Sequence, residues 1–228
     1  VEIGPGFGAL TAELSRRAGK VVAVEIDRRM IPVLEETLSG AANVEIVNED
    51  FMTFDSERAQ GSFKLVGNLP YYITSPIIAK ALECRVKPER MVFMVQKEVA
   101  ERLVAAPGSK VCGAISIFAG YHSRVTLAMK VSREVFLPKP NVDSAIIVME
   151  PRPFARGKPK DETLFFAIVR AGFGQRRKML RNALSVLCPD REKAEAVFAR
   201  AGVAPTARAE SLGVEEFIAL ADAMSEIE

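Results

Sequence analysis

Val1-Glu-Ile-Gly-Pro-Gly-Phe-Gly8 is the stretch that decides the fold class. Apolar residues around a single carboxylate read as a short buried strand. Glycines at 4, 6 and 8 then allow a tight turn into a helix, so that a ligand can approach the backbone closely. A second apolar strand, Val21-Val-Ala-Val-Glu-Ile-Asp27, ends 21 positions beyond Gly4 in Glu25, whose carboxylate can accept two ribose hydroxyls. Dehydrogenases and methyltransferases both use that device. Gly4-x-Gly6-x-x-Ala9 also fits the dinucleotide fingerprint, so an NAD oxidoreductase stays open at this point, as does a plain helix cap by Glu25 or Asp27.

Working outward, strand-like runs at Val21–Ile26, Val44–Val47, Lys64–Val66, Met91–Val95 and Ala145–Met149 alternate with helical patterns at Ala9–Arg17, Arg29–Leu38, Ser75–Leu82 and Val99–Ala105. The alternation predicts an α/β fold: a mostly parallel, Rossmann-like sheet with helices on both faces and ligands beyond the carboxyl ends of its strands. After Met149 the pattern changes. Pro151-Arg-Pro153 and Gly157-Lys-Pro159 mark a linker, and helices are expected at Glu162–Phe173, Gln175–Leu187, Arg191–Ala201 and Val214–Met224, with Gly172 and Gly174 turning between the first two. The domains expected are therefore 1–150, a linker at 151–161, and a small all-helical unit at 162–228. Because the chain opens directly on the strand before the glycine turn, a preceding segment is expected as well.

Composition narrows the function classes. No apolar run reaches the roughly 18 residues that a membrane span needs. Cys84, Cys112 and Cys188 form no C-x-x-C pair and His122 is the single histidine, so neither a disulfide framework nor a metal site is expected, and a cytoplasmic setting is. Charge is unevenly spread: 1–150 is balanced at 18 basic and 18 acidic residues, 152–181 carries nine basic against two acidic, and 182–228 carries four basic against nine acidic. The basic stretch, with Arg176, Arg177, Lys178 and Arg181 at its end, can neutralise several phosphates and is the expected nucleic-acid footprint; the alternative is a solvated surface around a linker.

Three further motifs carry chemistry. Asn48-Glu49-Asp50-Phe51 follows the third strand, where an acid can accept from an adenine amine and an apolar neighbour can cover the ring; an Asx turn is the competing reading. Gly67-Asn-Leu-Pro-Tyr-Tyr72 follows the fourth strand. The N6 lone pair of adenine is delocalised into its ring and attacks poorly. Hydrogen bonds from both N6 hydrogens to the Asn68 side-chain oxygen and to a nearby backbone carbonyl would draw the amine toward a tetrahedral shape, and Pro70 is expected to rigidify the loop and leave its own carbonyl free to accept. Tyr71 offers a flat face worth roughly 1–3 kcal/mol to a stacked base. Phe136-Leu-Pro-Lys-Pro-Asn-Val-Asp-Ser144 holds an extended loop in which Phe136 can close the other face of the base, or simply fill a core.

With these motifs in order, the chain resembles the bacterial ribosomal RNA adenine dimethyltransferases of the small-subunit type, over essentially its whole length. Gln96–Leu103, Pro107-Gly-Ser-Lys110, Gly174-Gln-Arg-Arg-Lys178 and Arg208-Ala-Glu-Ser-Leu212 strengthen the resemblance. It implies a class I methyltransferase domain with S-adenosylmethionine as cofactor and no metal. Gly4 and Gly6 would line the cofactor, Glu25 bind its ribose, and Asp50 and Phe51 hold its adenine. Asn68 would lie where cofactor and target meet, with Pro70 in its turn, and Tyr71 and Phe136 would sandwich the target base. The implied partner is 16S rRNA in a small-subunit assembly intermediate. Related large-subunit enzymes of macrolide resistance, DNA adenine methyltransferases and an assembly factor with minor catalysis are the alternatives.

Overall fold

The computed structural model describes residues 1–59, 61–152 and 156–227. Its elements follow in the order β1 (Glu2–Ile3), α1 (Ala9–Ser15), β2 (Val21–Glu25), α2 (Ile31–Thr37), β3 (Val44–Asn48), β4 (Lys64–Asn68), α3 (Thr74–Glu83), β5 (Arg90–Gln96), α4 (Lys97–Leu103), α5 (Ala114–His122), β6 (Ser123–Val131), β7 (Ser144–Pro151), α6 (Glu162–Gly174), α7 (Leu180–Ala183), α8 (Arg191–Ala201) and α9 (Val214–Ser225). Among the described residues no helix is long and apolar enough to cross a membrane.

The strands form one seven-stranded sheet in the order β3-β2-β1-β4-β5-β7-β6. β1 pairs in parallel with β2 and β4, β2 with β3, and β4 with β5, whereas β7 runs antiparallel to β5. All five residues of β2 are buried, as a strand covered on both faces requires. The chain steps outward from β1 through β2 to β3, then returns to β4 on the other side of β1 and steps away in the opposite direction. With right-handed crossovers, that reversal puts the helices following β1 and β2 on one face and α3 on the other. It also opens a crevice at the carboxyl ends of β1 and β4.

The chain divides into two compact units, one of residues 1–100 and 125–151 and the other of 101–124 and 152–228. In the first, Leu65, Met91, Phe93, Val95 and Ile147 are buried to 1 % exposure or less. In the second, Phe165, Ile168, Phe198, Phe217 and Leu220 form a helical core that also takes in Cys112, Ile117 and Tyr121. Residues 101–124, placed with the sheet domain by the sequence reading, thus pack with the helices, because α5 buries its apolar face there. Pro153 of the expected linker lies outside the described residues.

Two more differences concern the second unit. Helix α6 runs on through Gly172 to Gly174 instead of turning at them, since a Cβ at Gly172 would stand 3.1 Å from both Ala209 and Leu180 side chains and only glycine lets them close in. The helix expected over Gln175–Leu187 starts only at Leu180. The amide of Leu180, which a continuous helix would direct at Arg176, donates instead to the Ala207 carbonyl at 2.7 Å. Helix α5 and strand β6 were not foreseen.

At Gly67 β4 lies close against β1: a Cβ there would stand 3.0 Å from the Ile3 carbonyl oxygen and 3.2 Å from the Ile3 Cβ. Gly67→Ala is expected to cost about 1–3 kcal/mol in urea unfolding, the range for overpacking a close contact. Gly19→Ala, at an exposed bend where an added Cβ meets nothing within 4 Å, should leave the midpoint nearly unchanged.

Candidate active site

The strand order lays the sequence motifs side by side along one edge. Asp50 follows β3, Glu25 ends β2, Gly4 and Gly6 follow β1, and Asn68 ends β4. At about 4.8 Å per strand, the edge from β3 to β4 spans about 14 Å. Gly4 and Gly6 have φ of 62° and 57°, the left-handed region that disfavours side chains, and a Cβ at either would meet nothing within 4 Å. The turn therefore opens onto clear space. Glu25 is 6 % exposed, and its carboxylate accepts from the Gly6 N–H at 3.2 Å and the Asp27 N–H at 2.8 Å. Asp27 itself caps the next turn by accepting from the Arg29 N–H and pairs with the Arg29 guanidinium, whose hydrogen bonds hold its carboxyl down at about 2.

The β3 end is tied to the β2 end. Asn48 donates to the Glu25 carbonyl at 2.8 Å, and the Glu49 N–H donates to the same carbonyl at 3.0 Å. One Asp50 carboxylate oxygen accepts from the Met52 N–H at 2.9 Å, so the Asx turn exists, and it leaves the second oxygen as an acceptor. Phe51 is buried beside Phe54, with ring centroids 6.2 Å apart.

β1 and β4 pair Ile3 with Gly67, so the next position sets Asn68 level with Gly4. Asn68 is exposed, and among the described residues its side chain makes no hydrogen bond. It lines a cleft of about 250 Å³ together with Leu69, Pro70, Tyr71, Phe136, Pro138 and Pro140. Tyr71 and Phe136, 65 positions apart, are thus brought together as the reading of the motifs expects. The Pro70 carbonyl is not free, however: it accepts from the Ile73 N–H at 3.1 Å and the Thr74 hydroxyl at 3.0 Å. Leu69, whose N–H donates to the Met94 carbonyl at 3.0 Å, has a carbonyl that takes no hydrogen bond among the described residues. The backbone acceptor beside Asn68 is therefore that of Leu69, and Pro70 shapes the turn.

In the helical unit the expected basic footprint is only partly open. Arg156 pairs with Glu215, Lys160 with Glu226, and Arg176 lies 3.6 Å from Glu210, so the acidic tail offsets part of the basic stretch. The Arg176 guanidinium also donates to the carbonyls of Lys110 at 2.9 Å and Cys112 at 3.0 Å, and the Gly108 N–H donates to the Glu210 carbonyl at 2.7 Å. Three stretches far apart in sequence are knotted there. Arg177 and Lys178 are exposed, and Arg181 is half-buried. Arg176, Arg177 and Lys178 lie on the turn before a four-residue helix, not on a helix start as expected.

Glu2 carries no expected role from the motifs. It is 2 % exposed, and one of its carboxylate oxygens has no hydrogen-bond partner among the described residues. A lone acid inside an apolar strand was the available signal. Burial pushes its carboxyl above the ordinary 4.5, opposed by the Thr11 hydroxyl.

A dinucleotide oxidoreductase needs the glycine turn and Glu25 but has no use for an unpaired asparagine one strand over, beside two aromatic rings. The class that needs both is the Rossmann-like methyltransferases that act on an amino group. A family model described as ribosomal RNA adenine dimethylase matches residues 1–226. The chain is 45 % identical over 235 residues to the ribosomal RNA small subunit methyltransferase A of Bacillus mycoides, covering 98 % of this chain and 80 % of that protein. Among solved structures it is similar to a dimethyladenosine transferase from Plasmodium falciparum, with TM-score 0.77, 26 % identity and coverage of 96 % and 86 % of the two chains. It is also similar to the 23S rRNA methyltransferase ErmE, with TM-score 0.72, 30 % identity and coverage of 98 % and 89 %. The chain belongs to the ribosomal RNA adenine dimethylase family and is an S-adenosylmethionine-dependent methyltransferase.

With its carboxyl raised, Glu2 keeps in the folded chain a proton that the unfolded chain has already released, so its contribution to stability falls as pH climbs from 4.5 through the raised value. Glu2→Gln removes that loss. Its thermal midpoint should exceed the parent's at pH 8, with the gap closing toward pH 4; a gap independent of pH would show that Glu2 does not titrate in this way.

Proposed function

We propose that this enzyme transfers methyl groups to N6 of adenine in small-subunit (16S) rRNA, dimethylating two adjacent adenines in the cytoplasm as the subunit matures. The single observation that carries the reading is Asn68: exposed, unpaired among the described residues, level with the glycine turn, and lining the cleft that Tyr71 and Phe136 share. The small-subunit assignment is supported by the 45 % identical relative; the ErmE likeness favours a large-subunit target as the second reading.

The residues present fit the cofactor. Gly4 and Gly6 give its approach to the backbone, Glu25 a buried acceptor for its ribose, and Asp50 and Phe51 an acceptor and an apolar face for its adenine. When bound, S-adenosylmethionine supplies an electrophilic methyl group. The protein's own part is to hold the amine. The Asn68 side-chain oxygen and the Leu69 carbonyl accept its two hydrogens, which draws its lone pair out of the ring and toward the glycine turn. These bonds strengthen as positive charge develops on the nitrogen, so they favour the transition state over the ground state. Tyr71 and Phe136 hold the ring plane, which would orient the amine toward the methyl group that the bound cofactor supplies. Arg177, Lys178 and Arg181 contact RNA phosphates, while Arg176 holds the surface they stand on.

Immature small subunits, a labelled methyl donor and nucleoside analysis test the reading: N6,N6-dimethyladenine in the small-subunit RNA is expected, and label confined to large-subunit RNA would favour the second reading. Asn68→Ala should lower kcat/KM by about 100-fold or more at an unchanged melting temperature. For RNA binding, the combined Arg177→Ala and Lys178→Ala change should flatten the slope of log affinity against log salt by about two, one for each phosphate no longer neutralised.

A further inference from the structure

The two walls of the cleft come from distant segments, Tyr71 from the turn after β4 and Phe136 from the loop between β6 and β7. Stacking a base between them requires their separation to be held to a fraction of an ångström, and nothing covalent does so. Both walls are instead fastened to consecutive residues at the start of β7. The Asp143 carboxylate accepts from the Arg133 N–H at 3.1 Å, at the point where the loop carrying Phe136 begins. The Arg133 guanidinium closes the same loop by donating to the Asn141 carbonyl at 3.0 Å. Asp143 is itself anchored to the sheet, because its carbonyl accepts from the Lys97 N–H at 3.0 Å. On the other side, the Ser144 hydroxyl, 0 % exposed, shares a hydrogen bond of 2.7 Å with the Tyr71 hydroxyl.

Successive side chains of a strand point to opposite sides, so neighbouring residues can hold two different walls. We propose that Asp143-Ser144 is a gauge that sets the width of the base cleft: two positioning residues, neither touching the reacting atoms, that fix where the Tyr71 and Phe136 rings stand. The inference rests on the reading that the cleft receives the target adenine. Without the Ser144 hydroxyl, the Tyr71 ring keeps its area and its capacity to stack but loses its tether. Without the Asp143 acceptor, the loop bearing Phe136 is released at its base. Since RNA affinity comes largely from phosphate contacts elsewhere, a loosened gauge should act on turnover and not on binding.

The experiment is a double-mutant cycle on the full chain with immature small subunits as substrate, reading kcat and KM separately. Ser144→Ala and Tyr71→Phe should each lower kcat by about 10- to 100-fold, the range for a reactant misplaced by up to 1 Å, with KM for the subunit nearly unchanged. The double variant should be no worse than either single one, because all three break the same bond. Asp143→Ala should also lower kcat, and Asp143→Asn, whose amide oxygen still accepts from the Arg133 N–H, should restore it. Additive losses in the cycle, a Ser144→Ala enzyme with parental kcat, or Asp143→Asn as impaired as Asp143→Ala would each overturn the gauge. Failure of the underlying reading shows separately, as a parent enzyme that leaves adenine in small-subunit RNA unmodified.

Discussion

The contact of β4 on β1, backbone against backbone at Gly67 and Ile3, is the constraint on which the rest of the sheet unit depends. A parallel sheet that stepped outward in one direction would scatter its loops along a line. Here the return of the chain to β4 sets two loops of unrelated sequence next to each other, one rich in glycine and the other opening on Asn68. The first is shaped for close approach of a ligand to backbone, and the second offers side-chain and carbonyl acceptors. Pairing of β1 with β4 sets the two loops together, and the absence of a side chain at position 67 lets those strands pack closely.

The helical unit is governed by a different balance. Its basic stretch and acidic tail are partners within the folded chain: Glu210, Glu215 and Glu226 each hold a cation of the stretch. Such half-exposed pairs contribute little to stability. Their larger effect is to select which cations stay available. Arg176, buttressed by two carbonyls and a carboxylate, serves as framework, while Arg177 and Lys178 beside it remain in solvent.

What was legible in the sequence was whatever depended on residue type at short range. The glycine turn, Glu25 at the end of an apolar run, and the Asn-Leu-Pro-Tyr turn all lie where the alternation of strands and helices put them. What escaped depended partly on how neighbouring elements begin and partly on long-range contacts. The commitment of the Pro70 carbonyl to Ile73 and Thr74 depends on how the following helix begins. The late start of α7 depends on a hydrogen bond from Leu180 to Ala207, and Arg176 looks like any surface arginine until Lys110 and Cys112 are brought against it. Helix α5 was hidden by its own composition, because Ala-Ile-Ser-Ile-Phe-Ala-Gly-Tyr is apolar on too many sides to show a helical period. Strand β6 did leave a trace in the alternation of Val125, Leu127, Met129 and Val131.

The Glu25 carboxylate has one more implication. A flexible acid that captures a diol must first give up its rotamer freedom, a cost approaching about 2 kcal/mol for a glutamate. Glu25 has given it up already, locked by amides from the loops on either side of it. A sugar diol docking there, as proposed for the cofactor's ribose, would meet an acceptor already aimed, the entropy of aiming it having been lost on folding and not on binding.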